Sequence, residues 1–200
     1  MSTQKIVTTA EQAYSTIQSR LLTDLEPVWQ MINHRQYSPF WLLARELFPI
    51  AESIGDLIYR DKPTINLTKV LENDFSKIRP EYADKGKMIA LLYRHSLIHQ
   101  DEPRSIYSGN ITIEWSLAFI DGRYHLKVSN IDRRRHSCVM QFDLRTFYED
   151  ILALLELYKE KGPKRGIASR YNSWTFGNYQ DGETVRTVRQ FYKSYVDPVS

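Results

Sequence analysis

The chain has a single cysteine, Cys138, so no disulfide can form within it. That excludes a small disulfide-stapled scaffold and fits a reducing compartment. Its expected role is that of a small buried strand residue rather than a reactive thiol. No apolar run approaches the ~20 residues that a membrane-spanning helix requires. The opening Met-Ser-Thr-Gln-Lys is not followed by the apolar core of a signal peptide, so a cytoplasmic protein away from membranes is expected. Glycine and proline, eight of each, are too few for a collagen-like or low-complexity chain. No internal repeat is present. Charge is nearly balanced, 27 basic against 24 acidic residues for a net +3, which by itself does not imply nucleic acid. What remains is ordinary: 42% hydrophobic and 26% charged residues over 200 positions, enough for one domain with a sizeable core.

The first hundred residues carry a helical period. Thr9 with Gln12 resembles a capping box, and Tyr14, Ile17, Leu21, Leu25 and Val28 follow at helical spacing. Pro27 should bend or divide this helix. Ser38-Pro39 starts a second, with Leu42, Leu43, Leu47, Ile50, Ile54, Leu57 and Ile58 on its buried side and a kink at Pro49. Leu67, Val70, Leu71, Phe75 and Ile78 mark a third, ended by Pro80. The fourth runs from about Ala83 to Gln100, stopped before Pro103.

The period then changes to two. Ile111, Ile113, Trp115, Leu117 and Phe119 alternate with Thr112, Glu114, Ser116 and Ala118, a half-buried strand. Asp121-Gly122 predicts a tight hairpin pairing Phe119 with Tyr124, Leu117 with Leu126 and Trp115 with Val128. A third strand is expected over Ser137 to Phe142. Asp143 should cap a last helix bearing Phe147, Ile151, Leu154, Leu155 and Tyr158, which stops at Gly162-Pro163. The fold class is therefore mainly α, a helical bundle with a small antiparallel sheet (hairpin plus third strand) inserted before the last long helix. The domain spans residues 1–162, its insertion lies at about 105–143, and 163–200 form an aromatic and basic C-terminal extension. A sheet this small needs cover on its apolar face, from the helices or another subunit.

Chemistry concentrates at the end of the fourth helix, in Tyr93-Arg94-His95-Ser96-Leu97-Ile98-His99-Gln100-Asp101-Glu102-Pro103. On a regular helix His95 and His99 share a face, with Arg94 about 140° around from His99. As zinc ligands the histidines have suitable spacing, but an adjacent acid is missing and Arg94 would repel a cation. Ser96 lacks the glycine-flanked turn of a strained nucleophile. In a phosphodiester-cleaving site, histidine would serve as general acid or base while Arg94 offsets charge on the phosphorane. On composition and spacing alone a structural role is the commoner reading, since such a match arises easily by chance: Arg94 could cap the helix or pair with Asp101 or Glu102, and His99 could bond a carbonyl.

The run Arg94-His95-Ser96-Leu97-Ile98-His99 resembles the signature of the HEPN superfamily (higher eukaryotes and prokaryotes nucleotide-binding domains): an arginine, a polar residue, then a histidine within about four to six positions. The layout around it is similar over roughly residues 10–160, with an apolar helix before the motif, a proline turn after it and an amphipathic helix later. The resemblance implies that Arg94 and His99 are the catalytic pair and His95 the polar residue that orients them. It further implies a metal-independent endoribonuclease, toxin or defence-like, with no cofactor. Its site would be completed across a homodimer, and a cognate antitoxin is an implied partner. The alternative within the same resemblance is a catalytically inactive dimerisation or interaction module.

Arg133-Arg134-Arg135 and Arg104 are candidate RNA-backbone contacts. Tail aromatics interleaved with Arg170, Arg186, Arg189 and Lys193 could stack bases, though packing is the commoner use of such residues. His34, His125 and His136 stand alone in the sequence. His125 falls on the outward, solvated face of the expected hairpin, and His34-Arg35 lies between helices.

Overall fold

The computed structural model describes residues 9–33, 38–94, 105–118, 122–175 and 186. Helix α1 (Ala10–Asn33) opens on the reciprocal capping box: the Thr9 N–H donates to Gln12 Oε1 and the Gln12 N–H to Thr9 Oγ1, both at 3.1 Å. It runs undivided through Pro27, because Leu21 and Leu25 before the proline and Trp29 after it are all buried in one core. Helix α2 (Ser38–Tyr59) starts at the expected Ser-Pro and continues through Pro49. Leu43, Leu47, Ile54 and Leu57 are buried, whereas Leu42, assigned to the same stripe by spacing, is 49% exposed. Helix α3 (Pro63–Asn73) buries Leu67, Val70 and Leu71 and passes into 3-10 turns at Phe75–Lys77 and Pro80–Tyr82. It lies so close to α2 that a Cβ on Gly55 would come 2.5 Å from the Asn66 carbonyl oxygen, so only glycine fits there. Helix α4 (Gly86–Ile89) continues as a π-helical turn over Ala90–Arg94.

Strands β1 (Ile106–Ser108), β2 (Ile111–Ala118), β3 (Val128–Asp132) and β4 (Ser137–Asp143) form a mixed sheet in the order β1-β2-β4-β3. This corrects the expected antiparallel arrangement. Strand β2 lies parallel to β4, with Trp115 opposite Met140 and Leu117 opposite Phe142, and not beside residues 124–128. Only β1–β2 and β3–β4 are antiparallel. Phe119 and Asp121 of the expected hairpin lie outside the described residues. Residues 123–126 instead form a turn, entered at Gly122 (φ +68°), where a Cβ would meet Thr146 Oγ1 at 2.4 Å. The physical reason is the choice of central strand. Strand β4 points Met140 and Phe142 at the core, with Cys138 half-buried rather than buried as expected, whereas β3 offers Val128 and Ile131, both exposed, and is interrupted by a bulge that includes Asn130 at φ +47°. Burial favours the richer strand in the centre.

Helix α5 (Leu144–Lys161) begins as expected: Asp143 Oδ1 accepts from the Thr146 N–H at 2.8 Å and from Thr146 Oγ1 at 2.9 Å. It ends at Gly162. Helix α6 (Ile167–Thr175), not anticipated from the sequence, puts Ile167 and Tyr171 into the same core. Its Arg170 reaches α2, where Nη1 donates to the Leu57 and Ile58 carbonyls that α2 leaves without intrahelical partners. The first part of the C-terminal extension is therefore integral to the bundle. At the centre, Phe48, Phe75, Tyr82, Tyr93, Phe142 and Phe147 join α2, the 3-10 turns, the π turn, β4 and α5. Trp41 meets Trp115 edge-on at 6.5 Å, fixing the sheet to α2. No helix among the described residues is long and apolar enough to cross a membrane.

Candidate functional site

Helix α4 and its π turn deliver the motif. Leu92 and Tyr93 are fully buried while Leu91 is 44% exposed, so the turn presses one side into the core. The Tyr93 ring lies parallel to Phe48 with centroids 5.8 Å apart, and its hydroxyl donates to the Met140 carbonyl at 2.7 Å. Burial raises the pKa of that hydroxyl and keeps it a donor. The residue immediately before the motif is thus fixed to both α2 and β4. Arg94 closes the π turn. Its side chain, together with His95, His99 and Arg104, lies outside the described residues. A π turn bonds i to i+5, and such turns often occur at functional positions.

Arg133, Arg134 and Arg135 occupy the exposed turn between β3 and β4. The turn is built locally: Asp132 Oδ1 accepts the Arg134 N–H at 2.9 Å and the Arg135 N–H at 3.1 Å. Arg135 Nε is 3.8 Å from Asp132 Oδ2, but its side chain is 86% exposed, and such a pair contributes little. His136, in the left-handed region at φ +50°, accepts the Thr112 N–H on its carbonyl at 2.9 Å, tying the turn to β2.

The described titratable cluster that the sequence reading missed is buried. Arg79 clasps Asp150 on α5, with Nε to Oδ2 at 2.9 Å and Nη2 to Oδ1 at 3.1 Å. The Tyr82 hydroxyl donates to Asp150 Oδ2 at 3.0 Å and lies 2.8 Å from His125 Nε2. His125 Nδ1 accepts the Asp143 N–H at 3.0 Å. These partners assign the tautomer: with Nδ1 accepting, the proton sits on Nε2 and is donated to Tyr82. His125 is thus buried, correcting its expected place in solvent. Burial first, and then the Arg79 charge, pull its pKa from 6.5 to about 3, so it stays neutral. Burial also pushes the Tyr82 hydroxyl well above its ordinary value, helped by the Asp150 charge. The cluster ties the 122–127 turn, the 3-10 turn and α5 together. A signal for it existed: Asp150 stands among Phe147, Ile151 and Leu154 on the buried stripe of α5, where a carboxylate needs a cation.

A separate cavity of about 310 Å³ opens between α1, α2 and α6, with Ile17, Leu21, Ile50 and Ile54 as its floor and Arg20 and Asp24 at its rim. Among the described residues, no three His, Cys, Asp or Glu side chains cluster in a way that could hold a metal ion; His95 and His99 lie outside that set. Comparison of the chain with family models, with curated proteins and with solved structures gives no match.

Proposed function

We propose that the chain is a metal-independent endoribonuclease of the HEPN type, with Arg94 and His99 in a phosphate pocket completed by a second copy. One observation carries the reading: the Arg94-His95-x-x-x-His99 run begins where a buried helix, anchored through Tyr93, switches to π winding over Ala90–Arg94. The π interval of five residues is also the interval from Arg94 to His99, so a turn of that pitch would bring onto one face two side chains that an α-helix holds about 140° apart. In the reaction, His99 takes the proton of an RNA 2′-hydroxyl as that oxygen attacks the neighbouring phosphorus. The bond from phosphorus to the 5′-oxygen breaks, and the leaving oxygen receives a proton from a second histidine acting as acid. Arg94 offsets the charge gathered on the phosphoryl oxygens, and His95 orients the pair. Arg104 and Arg133–135 serve the RNA backbone. A toxin or defence role, with a cognate antitoxin, accords with such an activity.

The test is incubation of mixed RNA in chelator with wild type, Arg94→Ala and His99→Ala. Wild type should cleave and leave 2′,3′-cyclic phosphate ends, while both variants remain folded and leave RNA intact. Equal behaviour of wild type and His99→Ala would remove the enzyme reading.

A further inference from the structure

The two hairpins of the sheet point the same way. Tyr107 pairs with Thr112 across β1–β2, and Thr112 pairs with Ser137 across β2–β4, so all three stand in one row beside the arginine turn. Ile106, the preceding residue, packs on the core, which turns Tyr107 to the opposite face, and there it is 74% exposed. Strands are spaced ~4.8 Å apart, so Tyr107 stands roughly 10 Å from β4, across Thr112 and Ser137, and Asp132 of β3 pairs with Ser137 at the far end of the row. Beyond Ser137 come Arg133, Arg134 and Arg135, held by the Asp132 turn with their side chains in solvent. Among the described residues the carboxylates in this area are Asp132, whose Oδ1 accepts the turn's own N–H groups and whose Oδ2 lies 3.8 Å from Arg135 Nε, and Glu114, further along the same face.

We propose that this face is a platform for single-stranded RNA, with Tyr107 stacking one base and Arg133–Arg135 taking the phosphates beside it. An exposed tyrosine presents a flat surface to any unpaired base, and three arginines within one ordered turn supply the charge complementarity that a phosphate backbone needs. Base pairing hides base faces, so a duplex can use the arginines but not Tyr107. The choice of RNA over another polyanion rests on the nuclease reading; the platform itself does not require His99.

The probe is a short fluorescein-labelled 2′-O-methyl RNA, single-stranded or annealed, which can bind but has no free 2′-hydroxyl to attack. Tyr107→Ala should weaken binding of the single strand roughly 5- to 150-fold, as expected for one stacked base, with Tyr107→Phe close to wild type. The duplex should be indifferent to Tyr107→Ala. Replacing all three arginines by alanine should lower the slope of log affinity against log salt by about two for the single strand. Wild-type affinity in Tyr107→Ala, or an unchanged salt slope in the arginine variant, overturns the platform. So does a change in oligomeric state of either variant by sedimentation, which would give the face to a second copy. Loss of cleavage in His99→Ala with these affinities unaltered separates this result from the fate of the nuclease reading.

Discussion

Two regions of this chain combine arginine and histidine, one built into the described fold and one marked by its sequence alone. Arg79 and His125 are joined through Asp150 and Tyr82 into one hydrogen-bonded chain in which His125 is held neutral. In the sequence Arg94 directly follows the buried Tyr93, and His99 comes five positions later. If the proposed reading holds, the same residue types serve opposite ends. A guanidinium that shares its burial with a carboxylate becomes a fixed brace between elements. On the proposed reading, Arg94 instead keeps its charge for the RNA phosphate. Composition does not mark Arg79 as a brace; the carboxylate on the facing helix does.

The largest separation of the two regions is in activity. Arg94→Ala or His99→Ala should lower RNA cleavage by roughly 10²- to 10⁴-fold with little change in melting temperature. Arg79→Met should do the reverse. It leaves Asp150, whose side chain is 5% exposed, as an uncompensated buried charge, and should cost about 3 kcal/mol, the lower end for a broken buried pair because Arg79 itself is one-third exposed. For a chain of this length that is a fall of roughly 6–12 °C, measurable by calorimetry. At a temperature where the variant is folded its cleavage rate should match wild type. A loss of cleavage there would join the two regions into one site.

The brace also makes a pH signature. His125 has a folded pKa of about 3 against an unfolded value near 6.5, so between these limits the unfolded chain binds a proton that the folded chain refuses. Its contribution to stability is complete above about pH 6.5 and is lost as pH falls toward 3, with a slope approaching 1.4 kcal/mol per pH unit. Urea denaturation from pH 6.5 to 4.5 should show the decline. His125→Gln, which can still accept from the Asp143 N–H and donate to Tyr82, should lower stability at neutral pH yet flatten the slope. An unchanged slope in that variant would assign the acid sensitivity elsewhere.

How far each region could be read from the sequence follows from how local its determinants are. The Thr9–Gln12 box, the Asp143 cap and the stop at Gly162 are decided within four residues, and all appear where the sequence places them. The third strand, expected over Ser137 to Phe142, forms as Ser137–Asp143. The hairpin failed because nearest-neighbour pairing was weighed without its competitor: Met140 and Phe142, arriving later in the chain, displace Val128 from beside Trp115. That error carried His125 to the wrong face. Helix α6 left too short a stripe to detect, with Ile167 and Tyr171 as its buried apolar residues. The cluster around Asp150 joins residues up to 71 positions apart, and only the misplaced carboxylate hinted at it. The motif residues His95 and His99 were legible as chemistry, and their placement lies outside the described residues.

The finest test concerns the residue between packing and chemistry. Tyr93→Phe removes one hydroxyl and leaves the buried ring stacked on Phe48 and tilted against Phe142. The Met140 carbonyl loses a donor, a change of about 1 kcal/mol in stability, well below that of Arg79→Met. If anchorage at Tyr93 sets the direction in which Arg94 leaves the helix, the variant should lower kcat several-fold while KM stays near wild type, since the arginine's interaction strengthens only as charge develops on the phosphoryl group. A merely structural hydroxyl would lower the melting temperature and leave both constants alone. That outcome would place the origin of Arg94's orientation beyond the π turn, in the residues that follow it.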